Sequence, residues 1–188
     1  AALALARSIL RDLATAGQGV GDPPQVRFGL ALCPDDAASA EFLLENVSYG
    51  YRVMKEVPWG SRIPKAIFLN DVLPYANVNE RRDRWRKDFY ERFLPLVKEC
   101  RTPTLAAARL NAKIFPELDV KYSRRRPKAD QSPYESIEAS IASCTGLSIL
   151  LVDACRAVGV PARFAGTPLW SDRSGNHSWV EVWDEGWH

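Results

Sequence analysis

A cysteine and a histidine stand in this chain where a thiol nucleophile and its base would need to be. Cys144 heads a run in which Leu147, Leu150, Leu151, Ala154 and Val158 recur at intervals of three and four, the spacing of one buried helical face. Ser143 is placed to cap that helix, its hydroxyl accepting a first-turn N–H. Gly159 suits the left-handed position just past its end, and Pro161 forbids continuation. Cys144 is therefore expected in the first turn, where aligned peptide dipoles favour an anion and so the thiolate that attacks carbonyls. The unpaired N–H groups of the same turn could hold an oxyanion.

From His177 to Trp183 the chain alternates, with His177, Trp179, Glu181 and Trp183 on one face and Ser178, Val180 and Val182 on the other. Polar turns flank this strand, residues 171–176 before it and Asp184-Glu185-Gly186 after it. The sequence holds 2 histidines, and His188 is its last residue, so the base of a cysteine–histidine pair would be His177. Glu181 shares the His177 face but lies about 13 Å along the strand, and Asp184 has the opposite parity; neither is a good orienter of the imidazole. The plainer readings are a cysteine packed as a small core residue and a half-buried, satisfied histidine. Cys155 fits the first of these. It falls about 16 Å along the helix axis from Cys144, too far for a disulfide. Arg163 reads as an inward arginine paired with a carboxylate, and Trp179 as packing around the site.

At these residues the chain resembles the transglutaminase-like superfamily, cysteine hydrolases and acyltransferases of papain-type fold, and a bacterial member of it in particular. The resemblance rests on Cys144-Thr145-Gly146-Leu147-Ser148, on Cys155 through Arg163, and on Asn176-His177-Ser178-Trp179-Val180-Glu181-Val182, in that order. It implies Cys144 as nucleophile, His177 as base, and an Asp or Asn on the following strand as orienter. That third residue is not found up to His188, so the natural protein is expected to continue beyond it.

The rest of the chain must build the scaffold. Its 188 residues, 46% hydrophobic and 26% charged, suffice for one well-packed domain. A net charge of +2 is too mild to argue for nucleic acid or an anionic membrane. No apolar run approaches the roughly 20 residues of a transmembrane helix. The 4 cysteines, Cys33, Cys100, Cys144 and Cys155, form no C-x-x-C pair and no metal spacing, so neither metal nor cofactor is expected. The Ala-Leu-rich start is too short to tell the remnant of an export segment from an arbitrary boundary, and an exported location is slightly favoured over a cytoplasmic one.

In order, the pattern predicts a short helix over residues 7–16, a linker over 17–24, and a helix capped by Asp35 or Asp36 running to about Val47. Residues 48–64 read as ordered but irregular, and 66–75 has no clear assignment. A helix is predicted over 80–100 with Trp85, Phe89, Phe93, Leu96, Val97 and Cys100 buried. Its charges (Arg81, Arg82, Arg84, Arg86 and Lys87 among Glu80, Asp83 and Asp88) read as a solvated face. Thr102-Pro103 opens a helix to about Ile114, and Val120 to Tyr122 reads as a short strand. Residues 124–128 form a positive loop that could steer an acidic substrate but reads more simply as solvated. Ser132-Pro133-Tyr134-Glu135 is a capping box opening a short helix, and Gln131 before it is a minor candidate for an oxyanion donor.

These elements make an α+β protein, a papain-like transglutaminase-core fold with helices on a small antiparallel sheet, truncated at its C-terminus. The expected organisation is an N-terminal helix and linker over 1–34 and one domain over 35–188. The expected function is thiol-dependent hydrolysis of, or acyl transfer from, amide bonds of a peptide, protein or glycopeptide through Cys144 and His177. The alternative is a catalytically inactive scaffold of the same fold that binds peptide or glycan.

Overall fold

The computed structural model describes residues 40–173 and 175–188. The expected helix over 7–16, the linker over 17–24, the Asp35 or Asp36 cap and Cys33 lie outside the described residues. The chain divides into two compact units, Ala1–Leu44 and Glu45–His188. Of the first, the described part is the opening of helix α1, Ala40–Glu56. The second carries the rest of that helix and every other described element.

Helix α1 runs nine residues past the predicted end at Val47. The first part of the stretch read as irregular is instead packed helix: Val53 is fully buried, and Tyr49 meets Tyr90 edge-on at 5.1 Å. Pro58 then stops the helix. From Val57 the backbone is irregular as predicted, with a 3₁₀ turn at Gly60–Arg62, one α turn at Lys65–Ile67 and a π turn at Phe68–Val72.

Helix α2 spans Trp85–Val97 and buries Trp85, Phe89, Phe93 and Val97. It starts later than the predicted Glu80 because that carboxylate serves the loop before it, accepting from the N–H groups of Asn77 (2.7 Å) and Val78 (2.8 Å). The solvated-face reading fails for three of its charges: Glu80, Asp83 and Arg86 are buried. Arg86 donates to Asn46 Oδ1 (2.7 Å) and to the carbonyls of Arg156 (2.9 Å), Val72 (2.9 Å), Leu73 and Pro74 (both 3.0 Å). Arg156 reaches the carbonyls of Ala162 (3.0 Å) and Ala76 (3.1 Å). Two rigid forks of N–H donors thus hold an irregular segment by the oxygens that no helix or sheet satisfies.

Helix α3, Pro103–Leu118, begins at the predicted cap, with Thr102 Oγ1 accepting from Leu105 N at 3.3 Å. It passes through Pro116 in its last turn and ends where Asp119 turns left-handed (φ 50°). Strand β1, Lys121–Tyr122, pairs in parallel with β2, Ile141–Ala142, and helix α4, Pro133–Ala139, lies between them in the chain. The capping box is formed: Ser132 Oγ accepts from Glu135 N (3.3 Å) while Glu135 Oε2 accepts from Ser132 N (2.8 Å).

Helix α5, Cys144–Ala157, is the centre of the core, with Ile149, Leu150, Val152, Ala154 and Cys155 fully buried. It packs against α2, α3, α4 and the hairpin of β3, Ala162–Thr167, with β4, His177–Val182. That hairpin is antiparallel, from Ala162 opposite Val182 to Thr167 opposite His177. The architecture is α+β as expected, with a parallel two-stranded ladder beside the antiparallel one.

Candidate active site

Cys144 is the first residue of α5, half-buried and in no disulfide. Helix geometry leaves its N–H and those of Thr145 and Gly146 without intrahelical acceptors. Ser143 occupies the N-cap position but its hydroxyl does not cap; it donates instead to the Ala129 carbonyl at 3.2 Å. The first turn is pressed closely from behind. A Cβ on Gly146 would lie 2.9 Å from Ala142 Cβ and 3.2 Å from Ser136 Oγ, so β2 and α4 leave room for glycine alone.

His177 is the first residue of β4 and is exposed. Alternation turns Ser178, Val180 and Val182 inward and leaves His177, Trp179 and Glu181 on the outer face. Ser178 Oγ lies 3.3 Å from Thr145 Oγ1, so the structure brings together the residues that follow Cys144 and His177. The two candidates themselves share no hydrogen bond among the described contacts. The His177 ring stacks with Trp170 (6.0 Å, 27°) and Trp179 (6.3 Å, 27°), and the two indoles are 6.5 Å apart at 14°. Three nearly parallel rings at nearly equal separations form a triangle on the surface. Trp170 and Trp179 remain 44% and 36% exposed, which makes the pair an open aromatic face rather than packing. Trp170 is a neighbour of His177 that the sequence reading missed; its signal is an apolar Leu169-Trp170 pair entering an otherwise polar turn.

The other candidates have settled partners. Arg163 pairs with Glu181 Oε2 through Nε (2.7 Å) and Nη2 (2.6 Å), and its guanidinium lies 3.8 Å over the Trp187 ring. The carboxylate partner is as expected, but the pair is exposed rather than inward, and Glu181 is committed to it. Asp184 Oδ2 accepts from Thr104 N at 3.3 Å. Gln131 is buried, and its amide donates to the carbonyls of Ile141 (3.0 Å) and Glu135 (3.2 Å). It braces β2 against α4, and its donors are spent there rather than on an oxyanion.

Beneath the cysteine, helix α5 carries charges into the core. Cys155 is fully buried, and desolvation pushes its thiol up to about 12. Asp153 is fully buried as well; Oδ1 accepts from Asn77 Nδ2 at 2.9 Å and Oδ2 has no partner. Burial, outweighing the nearby Arg156 charge, raises its carboxyl well above the usual range. Asp71 is raised to about 6 by the same cause. Among the described residues no three His, Cys, Asp or Glu side chains converge on a point that could hold a metal ion.

A family model of the transglutaminase-like superfamily matches residues 93–188, from within α2 through both candidate residues. No curated protein matches the chain in sequence. Among solved structures, that of a candidate cysteine protease from Cytophaga hutchinsonii matches with a TM-score of 0.50 and 17% identity, covering 70% of this chain and 43% of that one. The chain thus spans less than half the length of that protein, and at this identity the likeness is one of fold.

Proposed function

Because the chain belongs to the transglutaminase-like superfamily, we propose that it is a thiol-dependent hydrolase or acyltransferase of amide bonds, with Cys144 as nucleophile and His177 as base. The observation that carries this reading is the 3.3 Å approach of Thr145 to Ser178, which sets the first turn of α5 against the opening of β4. Cys144 supplies the sulfur from a half-buried helix start, where the dipole favours the thiolate.

In the reaction Cys144 Sγ attacks the substrate carbonyl and its proton passes to His177. The carbonyl oxygen gains negative charge in the field of the free N–H groups at the helix start. The imidazolium returns its proton to the leaving amine as the C–N bond breaks, leaving a thioester on Cys144. Water then releases an acid, or an amine substrate releases a new amide. The imidazole must first leave its stack on Trp170 and Trp179 and turn toward Sγ. Catalytic contacts that a resting site lacks commonly form only in the substrate complex. The substrate would be a peptide, protein or glycopeptide.

Two measurements test this. Iodoacetamide at neutral pH, followed by peptide mapping, should label Cys144 well ahead of the buried Cys100 and Cys155; equal protection of all three would sink the nucleophile. Turnover of amide substrates should vanish in Cys144→Ala and fall by about 10²–10⁴ in His177→Gln.

A second reading, an inactive scaffold that binds peptide or glycan, is favoured by one feature: the His177 ring is engaged with two exposed tryptophans and not with Cys144. Binding of peptides without turnover, unchanged in Cys144→Ala, would decide for it.

A further inference from the structure

Strand β1 ends at Tyr122, and the chain does not leave the neighbourhood of the cysteine there. Ser123 N donates to the Ala142 carbonyl at 2.9 Å, and the Ala129 carbonyl accepts from Ser143 Oγ at 3.2 Å. The loop over 124–128 is therefore pinned at both ends to the two residues that precede Cys144. Five residues so tethered reach at most roughly 8 Å from their feet before turning back. The loop is Arg124-Arg125-Arg126-Pro127-Lys128.

Its charges are not balanced from within. Lys128 pairs with Glu135 at 2.9 Å, but among the described residues no carboxylate lies within ion-pair distance of Arg124, Arg125 or Arg126. Elsewhere on the surface Arg52, Arg62, Arg81, Arg84, Arg92 and Arg109 each have such a partner. Arg126 turns one N–H, Nη1, back to the Arg124 carbonyl at 3.1 Å, while its Nε is buried with no acceptor. A buried donor without an acceptor is uncommon in a folded protein. Three unpaired guanidiniums beside a nucleophile make a receptor for carboxylates.

We propose that the loop over 124–128 is a subsite for acidic residues of the substrate, so that the site selects peptide segments carrying carboxylates near the amide it attacks. This deepens the reading of Cys144 as nucleophile and rests on it for the word substrate. A peptide fits better than a nucleic acid: the net charge is only +2, and the three adjacent arginines form one short basic loop rather than a basic face.

The test uses Cys144→Ala protein and two labelled heptapeptides, one with three glutamates and its twin with glutamines, followed by fluorescence anisotropy. The glutamate peptide should bind about threefold to tenfold more tightly in low salt, the sum of two or three exposed pairs of ordinary strength. That advantage should disappear at high salt and in Arg124→Gln/Arg125→Gln, whose exposed side chains leave the core untouched. Equal binding of the twins, or an advantage that survives in the double variant, overturns the proposal. So does a single-stranded DNA decamer that binds more tightly than the glutamate peptide. Turnover by the protein with Cys144 intact separates the two claims. Cleavage without acid preference defeats this subsite alone, whereas acid-selective binding with no cleavage of any peptide defeats the thiol chemistry alone.

Discussion

Gly146 lets the first turn of α5, which Cys144 opens, sit close against β2 and α4. Its absent side chain lets Ala142 and Ser136 close on the first turn of α5, and the added methyl of Gly146→Ala would meet Ala142 Cβ at 2.9 Å. Alanine is the better helix former by roughly 1 kcal/mol, but overpacking a closed interface costs about 1–3 kcal/mol. The variant should therefore be less stable in urea by up to about 2 kcal/mol, and its Cys144 should react with iodoacetamide at an altered rate. A more stable protein with unchanged labelling would show that the contact yields freely. At this scale the sequence is legible where the signal is local: Cys144 before a helical stripe, His177 at the head of an alternating run, Gly159 past the helix end with φ 74°. It is not legible where a residue's partner is distant in sequence. Ser143 has the type and place of a cap, and only the return of the chain at Ala129 explains why its hydroxyl points elsewhere.

Helices α2 and α5 face each other across a polar seam in which Arg86, Arg156, Asp153, Asn77 and Glu80 are all drawn in. Both guanidiniums spend their donors on carbonyls, and the remaining oxygen of Asp153 has no partner. Burial raises the Asp153 carboxyl in the folded protein above its unfolded value. An acid so shifted holds its proton to higher pH in the folded protein than in the unfolded one, and its contribution to stability is full below the unfolded value, near 4. That contribution is lost as pH rises toward the folded one. Asp153→Asn, which keeps the shape and the contact with Asn77 but cannot ionise, should match the parent protein in thermal melts near pH 4. It should exceed the parent increasingly toward pH 8. A variant less stable than the parent at pH 8 would mean that Asp153 is charged and held by the two arginines. The sequence contains one unused hint of this seam: Arg86 precedes Tyr90, Phe93 and Val97 at helical spacing, on the edge of the buried stripe. The caps at Thr102 and Ser132 are readable because they are settled within four residues. The course of 71–76 is not, because its carbonyls are satisfied by side chains distant in the chain, those of Arg86, Arg156, Asn46 and Trp85.

Over the whole molecule, three short stretches in fixed order point to the family, since the residues that make a thiol site must open particular elements. The helices ahead of them carry no such requirement and can be read only as amphipathic segments. Of the 6 tryptophans, Trp183 and Trp187 are half-buried, and the other four sort by place in a way that has an optical consequence. Trp59 and Trp85 are each 1% exposed, whereas Trp170 and Trp179 are 44% and 36% exposed and flank His177. The buried pair should emit toward the blue and the exposed pair toward the red, so excitation of the unlabelled protein reports on the two regions at different wavelengths. Acrylamide should quench the red edge first. A peptide that occupies the site in Cys144→Ala protein should screen that edge from the quencher and leave the blue edge unchanged. Trp170→Phe/Trp179→Phe should abolish the response; its persistence would place the bound peptide somewhere else. The aromatic face beside the histidine is thus a built-in fluorescent gauge of occupancy, sensitive to any ligand that lies across it and indifferent to whether chemistry follows.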